Sequence, residues 1–233
     1  MLEALPPVPP AYRGLWERTA LERLGPGLLT DDRPARVFWL QTERWHADLR
    51  VPEDRPDFGA VDSLEACSDA QLAFIAGQDA FCGLTRVEGA ICIWQRLFDL
   101  RPLKAPDIGR MELSADRIIE HGVVEAYREE WSLVAGSRDG ETTAPGAMAI
   151  EPTRDIVLTA GAWRIVVTPR PPAPEWIDPF VPIADCDRAT LLWRTAMSVT
   201  LYRRDGAGWQ AELSTHPWLE GRRIGEMEAV ACA

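Results

Sequence analysis

Short strands separated by turns dominate this chain, and that pattern constrains its fold more than any other feature. Runs with strand character fall at 13–22, 35–42, 45–51, 83–88, 90–100, 108–113, 116–121 and 125–134. Further runs follow at about 147–151, 155–160, 162–168, 197–204 and 208–215. Glu88-Gly89, Ala160-Gly161 and Asp205-Gly206 punctuate neighbouring runs, where glycine supplies the positive φ of a tight hairpin. Strands at this spacing predict an all-β fold, an antiparallel sandwich or barrel with minor helices. Two stretches interrupt the series. Residues 62–78 read as a short helix: Ser68 and Gln71 form a capping box before Leu72, Phe74 and Ile75, and Gly77 ends it, so the helix should occupy about 68–77. The proline-rich crossing at 169–182 cannot supply central strands, and 185–196 after it is weakly helical. A hairpin standing alone after that crossing would be unstable. The expectation is therefore a single domain over 1–233, with a proline-rich arm at 1–12 and the last strands returning to one barrel.

Composition then removes several classes of partner. The formal net charge of −11 repels nucleic-acid phosphates and anionic membrane surfaces, so neither is expected to bind. No apolar stretch approaches the roughly 18 residues of a membrane-spanning helix. The N-terminus lacks the basic start and apolar core of a signal peptide. Five scattered cysteines without a C-x-x-C pair suit reduced thiols in a cytoplasm. Ten tryptophans against three tyrosines must be buried or must stack on something. Lys104 is the only lysine and lies in a proline-flanked loop, which leaves Schiff-base chemistry without a good candidate. Nucleotide-binding glycine loops, the G-x-S-x-G elbow and the H-E-x-x-H metal motif do not occur.

Several pieces of sequence carry a family resemblance. Arg13-Gly14-Leu15-Trp16 at the start of the first strand looks like the G-x-W that opens lipocalin-type barrels, where the tryptophan plugs one end. With V-F-W-L-Q-T (37–42), A-D-L-R-V-P (47–52), W-Q-R (94–96), D-I-G-R (107–110) and Y-R-E-E-W (127–131), the chain resembles a set of lipocalin-like proteins that includes the Hri-type family. The resemblance covers roughly the first 135 residues. It implies a calycin-like barrel of about 8–12 strands and an early helix able to lid it, and it supplies no catalytic residues. Two better-known signatures do not transfer. Fatty-acid-binding barrels hold a carboxylate with Arg-x-Tyr, whereas here the late region reads LYRRDGAGW; His216 shares only its late position with the axial histidine of nitrobindin-type haem barrels.

Strand alternation identifies candidate site residues. In 45–51, His46, Asp48 and Arg50 share one face while Ala47, Leu49 and Val51 take the other. Cys92, Trp94, Arg96, Phe98 and Leu100 share a face of 90–100, and Tyr127, Glu129, Trp131 and Leu133 share one of 125–134. If these faces line a lumen, Trp39, Asp48, Arg50, Trp94, Arg96 and Trp131 form a ligand pocket, with Asp48 pairing Arg50. The plain alternative has Ala47, Leu49 and Val51 inside and the charges in solvent. The expected ligand is apolar or aromatic, one with an acidic group that a guanidinium would grip included. A second reading is a cofactor-independent isomerase, lyase or hydratase using Asp48 or Glu129 as acid or base and Arg50 against an oxyanion. A third is a homodimeric scaffold with outward tryptophans. No metal is expected, because His46, His121 and His216 are not paired at ligand spacing. No cofactor is expected either, with haem on a single histidine the one alternative. His121 before Gly122 reads as a turn residue, and Cys82 and Cys92 as small buried hydrophobes.

Overall fold

The computed structural model describes residues 5–25, 34–102, 106–140, 142–145 and 154–225. The expected strand at 147–151, Lys104, Cys232 and the first four residues of the arm lie outside them. Eight strands close into an antiparallel barrel in sequence order: β1 (Gly14–Arg23), β2 (Ala35–Gln41), β3 (Trp45–Pro52), β4 (Asp79–Glu88), β5 (Ile91–Asp99), β6 (Asp107–Leu113), β7 (Arg117–Gly122) and β8 (Tyr127–Leu133). β8 pairs back onto β1, with Trp16 opposite Leu133 and Arg18 opposite Trp131. This is the barrel architecture that the lipocalin resemblance implies. Trp16 is fully buried, its indole N–H donating to the Tyr12 carbonyl at 2.7 Å. That bond ties the N-terminal segment, and its 3-10 turn at Pro10–Tyr12, beneath one end of the barrel.

The remaining strands do not enter the barrel. β9 (Thr142–Thr143), β10 (Ile156–Ala160), β11 (Trp163–Thr168), β12 (Ser198–Asp205), β13 (Gly208–Ser214) and β14 (Arg223–Gly225) form a six-stranded antiparallel sheet in the order β14-β13-β12-β11-β10-β9. Its inner face, including Leu158, Ile165, Val199, Leu201 and Leu213, shares one hydrophobic core with Phe38, Leu40, Ala47, Leu49 and Leu84 of the barrel. The outer surface of β2, β3 and β4 is therefore as dry as the lumen. β3 is buried on both faces, which resolves its odd composition: one apolar side for the neighbouring sheet, one charged side for the interior.

The helices follow their local signals. α1 (Asp69–Ala76) begins at a Ser68 cap with both capping-box bonds formed and ends at Gly77. α2 (Arg188–Thr195) starts under an Asp187 cap. Leu72 and Ile75 of α1 pack with Leu191 of α2 in a cluster separate from the lumen, so α1 braces the flank. His121 is not in a turn; it lies within β7, opposite Arg110 and Arg128, with its ring beside Glu112.

Candidate functional site in the barrel lumen

Cross-strand register fixes which side chains point inward. Trp39 faces Asp48, Asp48 faces Phe81, and Phe81 faces Asp99. The Trp39 ring meets Trp94 edge-on at 5.6 Å and Trp131 at 5.9 Å, although those residues belong to the non-adjacent strands β5 and β8. Such contacts exist only across the interior. Trp39, Asp48, Arg50, Trp94, Arg96 and Trp131 thus share the lumen, and the Ala47–Leu49–Val51 face is the one turned outward under the second sheet.

A tryptophan-rich apolar cluster closes the end beneath the N-terminal segment, joining Tyr12, Trp16, Trp39, Cys92, Trp94 and Trp131. Charged groups pack against it. Arg50 Nε donates to Asp48 at 2.8 Å and stands 3.9 Å from Asp79. Arg96 reaches Asp79 at 2.7 Å, Asp99 at 2.8 Å and Asp107 at 3.5 Å, with its guanidinium 3.5 Å from the centre of the Phe81 ring. Arg18 pairs with Glu129 at 2.5 Å. Glu120, opposite Glu129 in the register, forms no ion pair among the described residues. It accepts from the Tyr127 hydroxyl at 2.7 Å and from the Trp131 indole N–H at 3.1 Å. Gly109 makes room for it, since a Cβ there would come within 2.9 Å of the Glu120 side chain.

One irregularity shapes this cluster. The β4–β5 register shifts between Cys82 and Gly83, so Gly83 faces Arg96 while Cys82 faces Phe98. The bulge breaks the alternation of β5. Asp99 turns inward beside Arg96, and Phe98 turns out to the shared core, where simple alternation keeps Phe98 with Arg96.

Burial and crowding set the charge states. Burial raises the pKa of Asp48 against the lowering pull of Arg50, and it brings Asp99 to about 7 and Asp107 to about 6. Burial and then the neighbouring Glu129 push the Glu120 carboxyl well above the ordinary carboxylate range, against the lowering hydrogen bond from Tyr127. Burial acts on Asp79 in the same sense, but Arg96, Arg50 and Arg101 outweigh it and hold that carboxyl low. Six carboxyl groups share this layer with Arg18, Arg50 and Arg96, and each of those guanidinium groups already faces a carboxylate.

Two seams in the wall reach this layer. β1 and β2 pair only through Gly14–Glu17, and past that point a cleft of about 390 Å³ is lined by Arg18, Leu21, Pro34 and Ala35. β5 and β6 pair only through Ile91–Trp94, and a cleft of about 460 Å³ there is lined by Trp94, Arg96, Asp107, Leu84, Ile93 and Pro106. In a ring of eight strands these seams lie on opposite sides.

Sequence reasoning missed Arg18, Asp79, Phe81, Asp99, Asp107, Glu120 and the placement of His46. Alternation through Ile118 and Glu120, and through Trp16 and Arg18, carried a signal for two of them. The late-chain comparisons resolve as well. Tyr202, Arg203 and Arg204 belong to β12, outside the barrel, and His216 is buried against the Thr195 carbonyl and stacked on Trp218. Among the described residues no group of three His, Cys, Asp or Glu side chains is placed to hold a metal ion. No described helix is long and apolar enough to cross a membrane. Compared with protein-family models, curated proteins and solved structures, the chain matches none.

Proposed function

We propose that this protein is a small-molecule-binding barrel of lipocalin-like kinship, whose lumen takes a small aromatic or apolar molecule that is neutral or basic. The observation that carries this reading is the tryptophan triad, Trp39, Trp94 and Trp131, packed beside a charge layer that two wall seams approach. Large rings offer stacking area at low entropic cost, and a few fixed polar groups orient a guest. The acidic ligand suggested by Asp48 and Arg50 is the weaker choice, because every lumen arginine already faces a carboxylate. Four described cysteines, all free thiols, support a reducing compartment such as the cytoplasm. Titration of intrinsic fluorescence with neutral, basic and acidic aromatics tests the proposal. Saturable quenching by the first two classes and little by the third is expected; no quenching by any of them would sink it.

One observation favours a second reading, acid–base catalysis. Burial raises the Asp99 and Asp107 carboxyls to about 7 and about 6 and pushes Glu120 up as well. Asp48 and Glu129 are tied to Arg50 and Arg18, whereas Glu120 is held only by the neutral donors Tyr127 and Trp131, so Glu120 is the better acid–base candidate. Turnover of excess ligand, lost in Glu120→Gln while binding persists, distinguishes the enzyme from the carrier.

A further inference from the structure

His46 sits in the lumen wall, fully buried, between Gln41 on β2 and Gly83 on β4. Its hydrogen-bond chain has only one consistent direction. The Gln41 amide nitrogen donates to the carbonyls of Thr42 and Trp45, both at 3.1 Å, which turns the amide oxygen toward Thr85. The Thr85 hydroxyl donates its single proton to that oxygen at 2.8 Å. Toward His46 Nδ1, 3.0 Å away, Thr85 can then only accept, so the imidazole proton resides on Nδ1. Burial, with Arg96 nearby, lowers the pKa of the ring to about 3, so it is neutral under ordinary conditions. Nε2 is therefore a bare lone pair facing away from Thr85, and it has no partner among the described residues. The indole N–H of Trp39 is likewise buried and unpartnered. With Trp39 opposite Asp48 and Gln41 opposite His46, Trp39 and His46 are diagonal neighbours on the inward side of β2 and β3. A buried acceptor and a buried donor left unpaired each cost about 1–3 kcal/mol, which a complementary guest would remove.

We propose that His46 and Trp39 form the polar anchor of the lumen and select a hydroxyaryl ligand, whose hydroxyl donates to His46 Nε2 and accepts from the Trp39 N–H. A hydroxyl is the smallest group that does both. The assignment rests on the small-molecule reading above and adds the ligand class to it. It is tested on the full chain with phenol, anisole and toluene, which share a ring and lose first the donor and then the oxygen. Calorimetry is expected to show phenol binding about tenfold more tightly than anisole, with toluene weaker still. The phenol advantage should disappear in His46→Phe. Equal affinity for phenol and anisole would overturn the anchor and leave the small-molecule reading standing; binding of none of the three would remove both. If His46→Phe does not fold, nitrogen NMR of the unaltered protein decides. A protonated Nδ1, a bare Nε2 and an Nε2 shift on adding phenol support the anchor, whereas a protonated Nε2 or an unmoved resonance overturns it.

Discussion

At the scale of single residues, Arg96 carries the most consequence. It pairs with three carboxyl groups and sits over the Phe81 ring, so removing it leaves buried negative charge without a partner. Arg96→Met should destabilise the protein by about 3–5 kcal/mol in urea denaturation near pH 8. The loss should shrink toward pH 5, where the carboxyls can take up protons. Asp99 gives the complementary test. Its pKa is raised in the folded protein to about 7, chiefly by burial, from the 3.8 of a free aspartate side chain. Folding therefore favours the protonated form, and this contribution is full below about pH 4 and fades as pH rises to about 7. Asp99→Asn, which cannot ionise, should gain stability relative to the unaltered chain across that window. A difference that stays flat, or that falls with pH, would contradict the assigned titration.

At the scale of elements, β5 shows how much a local irregularity decides. The bulge opposite Gly83 brings the β5 backbone so close that a Cβ on that glycine would lie 1.9 Å from the Gln95 carbonyl oxygen. Gly83→Ala should therefore open the β4–β5 ladder, at a cost on the order of 3 kcal/mol or more, and should release Asp99 from Arg96. A lowered melting temperature together with an Asp99 pKa raised further, because the lowering pull of Arg96 is lost, would be the combined signature. No sequence pattern announces this bulge: I-C-I-W-Q-R-L-F-D alternates plausibly from end to end, and only the partner strand reveals the shift. Most strand positions were legible, because alternation and hairpin glycines are local signals: β3, expected at 45–51, spans Trp45–Pro52, whereas β4, expected at 83–88, begins at Asp79. The Ser68–Gln71 capping box was legible for the same reason. The inward direction of Asp48 and Arg50 was not, since β3 is buried on both sides and either face could have been the core. Nor were pairs such as Arg18–Glu129, whose partners are 111 residues apart and meet only once the barrel closes.

At the scale of the molecule, the barrel and the second sheet stabilise one another. Leu40, Leu49 and Leu84 on the barrel exterior are at most 1% exposed because Leu158, Ile165, Val199 and Leu201 cover them. Burying one such side chain is worth about 1.5–3 kcal/mol. Uncovering several of them would erase most of the roughly 5–15 kcal/mol that an ordinary domain possesses. Arg170 adds polar links, donating to the carbonyl of Leu100 beside β5 and to that of Arg194 in α2. Unfolding of the full chain should accordingly be a single transition, reported at the same midpoint by lumen tryptophan fluorescence and by far-ultraviolet circular dichroism. A chain ending at residue 140 should fail to form a monomeric barrel, appearing instead as aggregate or as a species that binds hydrophobic dyes. Two separated transitions in the full chain, or a soluble truncated monomer with native tryptophan emission, would show that the barrel stands alone. In that case the apolar face of β3 would need some other explanation than the sheet that covers it.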